Sequence, residues 1–132
     1  MFSFTHSPFL TQCDTEYAIA HWRDFQAILD IHQGEGIISV DHSQTPSPQS
    51  IQAWLDYGIH ALEERKRLLI LCADGQHRSS TVSALIQSQH EKRPYREVVD
   101  EYHRAFLQLN PPHNWFPYTH WDEAICAYLQ TI

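Results

Sequence analysis

The 132-residue sequence has no apolar run near 18 residues, so no membrane-spanning helix is expected. Its first residues lack a basic region followed by an apolar stretch, and no signal peptide is predicted either. It contains only three cysteines, an odd number that does not suggest a disulfide framework, and a reducing cytoplasm fits this count. No internal repeat or low-complexity linker divides the chain. With 42% apolar residues, one globular domain over residues 1–132 is expected.

Positive charge is also scarce. Nine lysines and arginines stand against sixteen aspartates and glutamates, which leaves a net charge of −7 with histidine neutral. This balance argues against nucleic acid or an anionic membrane as a nonspecific partner, although a local basic patch around Arg93 and Arg96 remains open. The ten histidines show no spacing typical of a zinc site with cysteine or acidic partners, so no metal is expected.

The most informative stretch is residues 68–81. An apolar run ends on Cys72, a short loop with Gly75 follows, and Arg78 stands six residues after the cysteine, at the start of a helix-like pattern. This order predicts a strand, an anion-binding loop and a helix N-terminus. Backbone N–H groups and the helix dipole at such a place lower the pKa of a thiol below its usual value of about 8.5, which makes the thiolate reactive. The planar guanidinium of Arg78 adds donors that suit phosphate.

The Cys-x5-Arg-Ser motif of residues 72–79 resembles the signature loop of the cysteine-dependent protein tyrosine phosphatases. The best resemblance is to their small dual-specificity branch. The resemblance implies that Cys72 attacks phosphorus, that Arg78 holds the phosphoryl oxygens and that Ser79 assists the thiolate. Outside the loop the resemblance is one of pattern and covers roughly residues 26–132. It implies that no cofactor takes part. It also implies a phosphate-binding loop formed by Ala73, Asp74, Gly75, Gln76, His77 and Arg78.

Cleavage of a phosphate ester also needs a general acid for the leaving oxygen. Asp41 is the candidate, because it lies 31 residues before Cys72, at the end of a predicted strand and at the start of a loop rich in proline, serine and glutamine. The family that this chain resembles places its acid on such a loop at about that separation. A turn-capping role for Asp41 is the structural alternative. Two weaker candidates are Asp30, a predicted strand residue further upstream, and Asp74, whose carboxylate would repel phosphate.

Leu71 occupies the position before the cysteine, where the phosphatase family usually has histidine. This departure leaves a non-catalytic, phosphate-binding relative as one alternative to an enzyme. Among enzymes, the substrate stays open. It is either a phosphorylated protein, with phosphotyrosine or also phosphoserine and phosphothreonine, or a non-protein phosphate such as a small phosphate ester, a phosphoinositide or an RNA 5′ end. Asp74 and the net acidity argue mildly against a highly anionic substrate.

Hydrophobic patterning predicts three short strands, at 26–31, 37–40 and 68–71. A helix is predicted before them at 16–24, and residues 26–31 could instead be the end of that helix. Four helices are also predicted. One, at 49–65, lies between the second and third strands; the others follow the loop after Cys72, and they run from the end of that loop to a break near 91–94, over 98–109 and over 121–132. Strands that alternate with helices, followed by a run of helices, indicate an α/β fold. We therefore expect a phosphatase-like central, mostly parallel sheet of about four strands, flanked by helices, with a helical C-terminal side.

The remaining cysteines, Cys13 and Cys126, are expected to be buried apolar residues, and a disulfide between one of them and Cys72 stays open. Aromatic residues follow Asn114, and they are similar to the phosphatase segment that packs beside the active loop. Asn114 is therefore a candidate for positioning that loop. The aromatic residues predicted to lie in the core are Trp115, Phe116 and Tyr118.

Overall fold

A computed structural model of the chain describes residues 36–40, 44–65, 68–72, 78–108 and 112–132. The helix predicted at 16–24 and the strand predicted at 26–31 lie outside these residues. Each of the four helices predicted further along the chain is confirmed, with ends shifted by a few residues. In chain order the described elements are β1 (Gly36–Val40), α1 (Pro48–Glu63), β2 (Leu68–Cys72), α2 (Arg78–Glu91), α3 (Tyr95–Leu107) and α4 (Thr119–Leu129).

The two strands form a parallel pair, in a register that runs from Gly36 opposite Leu68 to Val40 opposite Cys72. Parallel neighbours cannot be joined by a tight turn and need a crossover connection, usually a helix. Helix α1 is that crossover, and it contacts both strands. The carboxyl ends of β1 and β2 therefore lie at the same edge of the pair.

The predicted α/β fold with a central, mostly parallel sheet of about four strands is wrong. The part of the chain that the structure describes is mainly helical, with helices of 16, 14, 13 and 11 residues against two strands of five residues each. Within that part the strands pair only with each other. A ribbon of two strands is too narrow to cover four helices. Helix-to-helix contacts therefore build most of the core, with α2 against both α1 and α3, and α4 against α1.

Helix α1 begins where the sequence supplies a cap. The side chain of Ser47 accepts a hydrogen bond from the backbone N–H of Ser50 at 3.1 Å, and Pro48 occupies the first turn, where its missing N–H does no harm. Its buried residues fall at helical spacing and face the strands and α2; they are Ile51, Leu55, Gly58, Ala61 and Leu62.

Helix α2 lies at the centre of the described core. All side chains at positions 79–86 are buried, although a helix buried on every side is normally apolar all round. Here small serine and alanine side chains take the place of large apolar ones and let the neighbouring elements approach closely. Two of the buried hydroxyls have clear partners. Ser83 Oγ bonds to Tyr102 Oη at 2.8 Å, and Ser88 Oγ donates to the carbonyl oxygen of Leu85 at 2.7 Å.

Helices α2 and α3 are antiparallel. Near the turn between them, Arg93 bonds to Glu91 at the end of α2 and to Glu97 at the start of α3. Further from the turn, Ser83 meets Tyr102. The carboxyl-terminal half of α3 therefore lies towards the N-terminus of α2.

Helix α4 is fixed from two sides. The rings of Trp121 and Trp54 are stacked with their centroids 5.6 Å apart, which joins α4 to α1. The Arg96 guanidinium forms a two-pronged ion pair with Asp122, which joins α3 to α4. None of the helices described here is both long enough and apolar enough to cross a bilayer.

Candidate active site

The predicted nucleophile lies at the end of a strand. Cys72 is the last residue of β2, and Val40, its register partner, is the last residue of β1. Neighbouring strands of a sheet lie about 4.8 Å apart. The predicted acid, Asp41, follows Val40 by one peptide bond. Asp41 itself lies outside the described residues, but the strand that leads to it ends beside Cys72.

The predicted phosphate clamp opens the next helix. Arg78 is the first residue of α2 and is partly exposed, and Ser79 is the second and is only 2% exposed. The first turn of a helix presents backbone N–H groups that have no partner within the helix, together with the positive end of the helix dipole. No acidic residue in the first turn of α2 offsets this positive end. The start of α2 therefore suits an anion.

Five residues join Cys72 to Arg78, and all of them lie outside the described residues, as do Asp30 and Cys13. Their predicted roles stay predictions. The flanks are as the sequence predicts, since a strand ends at Cys72, a helix begins at Arg78, and the two elements contact each other. The five connecting residues are Ala73, Asp74, Gly75, Gln76 and His77.

Sequence reasoning missed one residue at this end of the molecule, Ser80. It is fully buried in the first turn of α2, and its Oγ atom has no hydrogen-bond partner among the residues that the structure describes. A buried hydroxyl without a partner is uncommon in folded proteins and calls for an explanation. The sequence signal was present in the second serine after Arg78, but a serine in a helix is usually a solvent-facing residue.

The aromatic residues after Asn114 divide between the core and the surface. Trp115 is fully buried, as predicted, and Tyr118 is partly buried against the core. The prediction for Phe116 is wrong, because its side chain is 52% exposed. It is stacked on the ring of His103, with centroids 4.3 Å apart. The proposed positioning role of Asn114, which is exposed, remains a prediction.

Cys126 is a free thiol in α4 and is partly buried. Burial is the main cause that raises the pKa of this thiol, and the charge of Asp122 raises it further. Arg96 Nη2 lies 3.4 Å from its Sγ atom and acts in the opposite direction without reversing the shift. Cys126 therefore stays protonated at neutral pH and is a poor nucleophile.

The two arginines that could have formed a basic patch are both paired with carboxylates. Arg93 forms ion pairs with Glu91, Glu97 and Glu101, and Arg96 forms one with Asp122. Hydrogen bonds to these carboxylates raise the pKa of both guanidinium groups. The charges are matched locally, and this surface offers no excess of positive charge to a polyanion.

In the described ranges, no group of three or more histidine, cysteine, aspartate or glutamate side chains is arranged to hold a metal ion. No protein-family model, curated protein or solved structure matches this chain. Any assignment of function therefore depends on the chain's own residues and on their geometry.

Proposed function

We propose that this chain is a cysteine-dependent phosphatase that hydrolyses phosphate monoesters through a cysteinyl-phosphate intermediate. One observation carries the proposal. Cys72 ends β2 in register with Val40, the residue before Asp41, while Arg78 begins α2. The strand that ends on the thiol and the strand that leads to the carboxylic acid thus end at one edge of the pair, and the helix that begins with the guanidinium contacts both strands. The proposal depends on this arrangement and not on the overall fold, since one chemistry can occur on many folds.

In the first step the Cys72 thiolate attacks phosphorus, and the bond between phosphorus and the leaving oxygen breaks. Asp41, protonated at this stage, gives its proton to that oxygen. Negative charge spreads over the three equatorial phosphoryl oxygens during the transfer. The Arg78 guanidinium and the backbone N–H groups that lead into α2 stabilise this charge, which is the larger part of catalysis in phosphoryl transfer.

In the second step water attacks the phosphorus of the cysteinyl-phosphate. Asp41, now a carboxylate, accepts a proton from the water, the bond between phosphorus and sulfur breaks, and inorganic phosphate leaves. The Cys72 thiolate is regenerated and Asp41 is protonated again, so the cycle closes. The hydroxyl of Ser79, buried one residue after the clamp, assists the thiolate as a leaving group. The cycle needs neither a metal nor another cofactor.

The substrate class that fits this site is a phosphorylated protein or a small phosphate ester. Phosphotyrosine is the expected protein substrate, with phosphoserine and phosphothreonine as further substrates if the pocket is shallow. A thiolate nucleophile needs a reducing compartment, and the cytoplasm is the one proposed. The net charge of −7 supports a partner other than nucleic acid or an anionic membrane.

The second candidate function is phosphate binding without turnover. Leu71, in the place where the resembled family usually has histidine, is the observation that favours it. Without the hydrogen bonds that such a histidine supports, the pKa of the Cys72 thiol is lowered less, and less thiolate is available near neutral pH. The pocket could then hold an oxyanion without turning it over.

The proposal is tested by the hydrolysis of an aryl phosphate by the purified chain. We expect steady turnover that Cys72→Ser abolishes, because a serine hydroxyl is barely ionised near neutral pH and does not attack phosphorus. Cys126→Ser is the matched control. It makes the same chemical change at a thiol that burial keeps protonated, and it should retain the activity of the wild type.

Three other outcomes are informative. Hydrolysis by Cys72→Ser at the wild-type rate means that the nucleophile is elsewhere. Loss of hydrolysis in both variants means that the serine substitutions act through the fold, which a thermal melt would reveal. Tight phosphate binding by the wild type without any turnover favours the non-catalytic alternative.

A further inference from the structure

The carboxyl-terminal half of α3 carries a small surface of joined apolar and aromatic side chains. Phe116 is 52% exposed and Leu107 is 39% exposed. The ring of Phe116 is stacked on that of His103, with centroids 4.3 Å apart, and Leu107 follows His103 by one turn on the same face of α3. A single exposed apolar residue is ordinary, whereas a contiguous group is typical of an interaction surface. Phe116, His103 and Leu107 together are called the Phe116 patch.

The Phe116 patch is supported from beneath. His103 Nδ1 lies 2.8 Å from the carbonyl oxygen of Trp115, and because a carbonyl oxygen only accepts, Nδ1 donates this hydrogen bond. Trp115 is fully buried and is stacked on Phe106 of α3. The ring of Phe116 therefore rests on a histidine whose orientation is fixed. A surface that is ordered in advance loses little side-chain freedom when a partner binds to it.

A cation without a carboxylate partner borders the Phe116 patch. Arg104 is exposed and precedes Leu107 by three residues, a spacing that makes the two neighbours on the helix surface. In the described part of the chain Arg104 forms no ion pair, even with Asp100 one turn before it, whereas Arg93 and Arg96 at the other end of α3 are both paired. In a chain of net charge −7, this free guanidinium beside an apolar surface is complementary to a partner that is both acidic and apolar.

The Phe116 patch lies at the end of the molecule where α2 begins. Helices α2 and α3 are antiparallel, and Ser83 meets Tyr102 across them. Arg78 stands five residues before Ser83, and Leu107 stands five residues after Tyr102, so Arg78 and Leu107 lie at the same level along the two helices. Packed helices lie about 8–10 Å apart, a distance that about three residues of extended chain span. Residues a few positions from a phosphate at Arg78 are therefore within reach of the patch.

We propose that the Phe116 patch and Arg104 bind the residues that flank the phosphorylated residue of a protein substrate. An apolar side chain packs on the ring of Phe116, and a carboxylate pairs with Arg104. The inference deepens the proposed function and rests on it, because that function supplies the phosphorylated partner. It selects a phosphorylated protein, with apolar and acidic residues near the phosphate, over a small phosphate ester.

The test measures kcat/KM for phosphotyrosine peptides that carry one phenylalanine and one glutamate at varied distances on either side of the phosphate. Each peptide is compared with its counterpart that has alanine at both positions, and the wild type should prefer the best of the first set. Phe116→Ala should lower kcat/KM for that peptide about fivefold or more, a loss typical of an important interface side chain. Arg104→Gln should lower it about two- to fivefold, and added salt should reduce this second loss but not the first.

Two controls accompany these variants. Hydrolysis of a simple aryl phosphate by Phe116→Ala and Arg104→Gln should stay at the wild-type rate, because this substrate has no flanking residues. Tyr57→Ala removes an aromatic ring that is 48% exposed on α1, outside the Phe116 patch, and it should change the hydrolysis of neither substrate. If loss of the stacking on His103 lowers the melting temperature of Phe116→Ala, Arg104→Gln and its salt dependence still decide the question.

The inference is overturned if the wild type hydrolyses the aryl phosphate but shows no preference among the peptides, or if the preference survives in Phe116→Ala and in Arg104→Gln. It is also overturned if sedimentation shows a dimer of the wild type that Phe116→Ala converts to monomers, because a second copy of the chain then covers the patch. Both results leave the proposed function intact. If the wild type does not hydrolyse the aryl phosphate at all, the proposed function fails, and the inference fails with it.

Discussion

A β-carbon added at Gly58 in α1 would stand 2.7 Å from Cδ1 of Ile86 in α2. Real β-carbons essentially never approach another heavy atom so closely, and two more atoms of the same isoleucine lie 3.1 and 3.2 Å away. The absence of a side chain at position 58 therefore sets how closely α1 and α2 approach each other. The same helix, α2, begins with Arg78, the proposed phosphate clamp.

Gly58→Ala should destabilise the protein. Alanine favours a helix over glycine by about 1 kcal/mol, but overpacking a tight contact costs about 1–3 kcal/mol, so the free energy of unfolding should fall by up to about 2 kcal/mol. Urea denaturation measures the change. Ile86→Val is the companion variant, because it removes the Cδ1 atom of the closest contact. In the Ile86→Val background, Gly58→Ala should cost less than it does alone, and equal costs would show that the contact does not limit packing.

Tyr102→Phe should cost about 1–3 kcal/mol of stability, because it strands two groups at once. The Tyr102 hydroxyl bonds to Ser83 Oγ and donates to Gln87 Oε1, each at 2.8 Å. The double variant Ser83→Ala with Tyr102→Phe removes one of the stranded groups. It should therefore be more stable than the sum of the two single changes predicts. Strict additivity in chemical denaturation would mean that the two hydroxyls do not interact.

The pH dependence of stability should show a loss on the alkaline side. Burial and the charge of Asp122 raise the pKa of Tyr95 well above its usual 10.0, and burial raises the pKa of the Cys126 thiol above its ordinary value. The folded protein then holds these protons at pH values where the unfolded chain has lost them. Stability is therefore complete below the usual pKa values and falls as the pH rises past about 9–10.

Melting temperatures taken from about pH 8 to pH 11 test this sign. Tyr95→Phe should flatten the decline above about pH 10, since phenylalanine has no proton to lose. Cys126→Ser should flatten the part that begins near pH 9. The same slope in the wild type and in both variants would show that other groups govern the alkaline loss.

Asp41→Asn should slow hydrolysis strongly for phosphate esters with poor leaving groups, such as alkyl phosphates, by about 10²–10⁴-fold. Esters with good leaving groups need little protonation and should lose much less. The alkaline fall of the pH–rate profile should weaken, whereas the acidic limb, which reports ionisation of Cys72, should survive. If poor leaving groups and the alkaline limb are both unaffected, Asp41 is not the acid, and Asp30→Asn and Asp74→Asn are the next variants to test.

Patterning predicted the helices well and the tertiary arrangement poorly. Ile51, Leu55 and Leu62 lie at helical spacing, and that spacing fixes one face of α1 whatever it packs against. An apolar run such as 68–71 indicates a strand, but it does not predict how many other strands pair with it. In the part of the chain that the structure describes, two strands pair where a sheet of about four is expected, and the helices cover one another.

The candidate site was predictable at its flanks, because a strand that ends on a cysteine and a helix that begins on an arginine leave local signals. Burial of single side chains was less predictable. Phe116 lies in an irregular segment without periodicity. The neighbouring residues therefore do not predict that its side chain is exposed while that of Trp115 is buried. Ser80 was missed because its burial depends on what surrounds α2 and not on its own polarity.

The serine-rich sequence of α2 makes the proposed site depend on the folding of the whole domain. An isolated helix of 14 residues is marginal in water even with strong helix formers, and the buried part of α2 is rich in serine, threonine and valine, which are weaker ones. The segment becomes helical because its neighbours enclose it. No shorter fragment around Cys72 should therefore retain the site, and its chemistry should appear and disappear cooperatively with the domain as a whole.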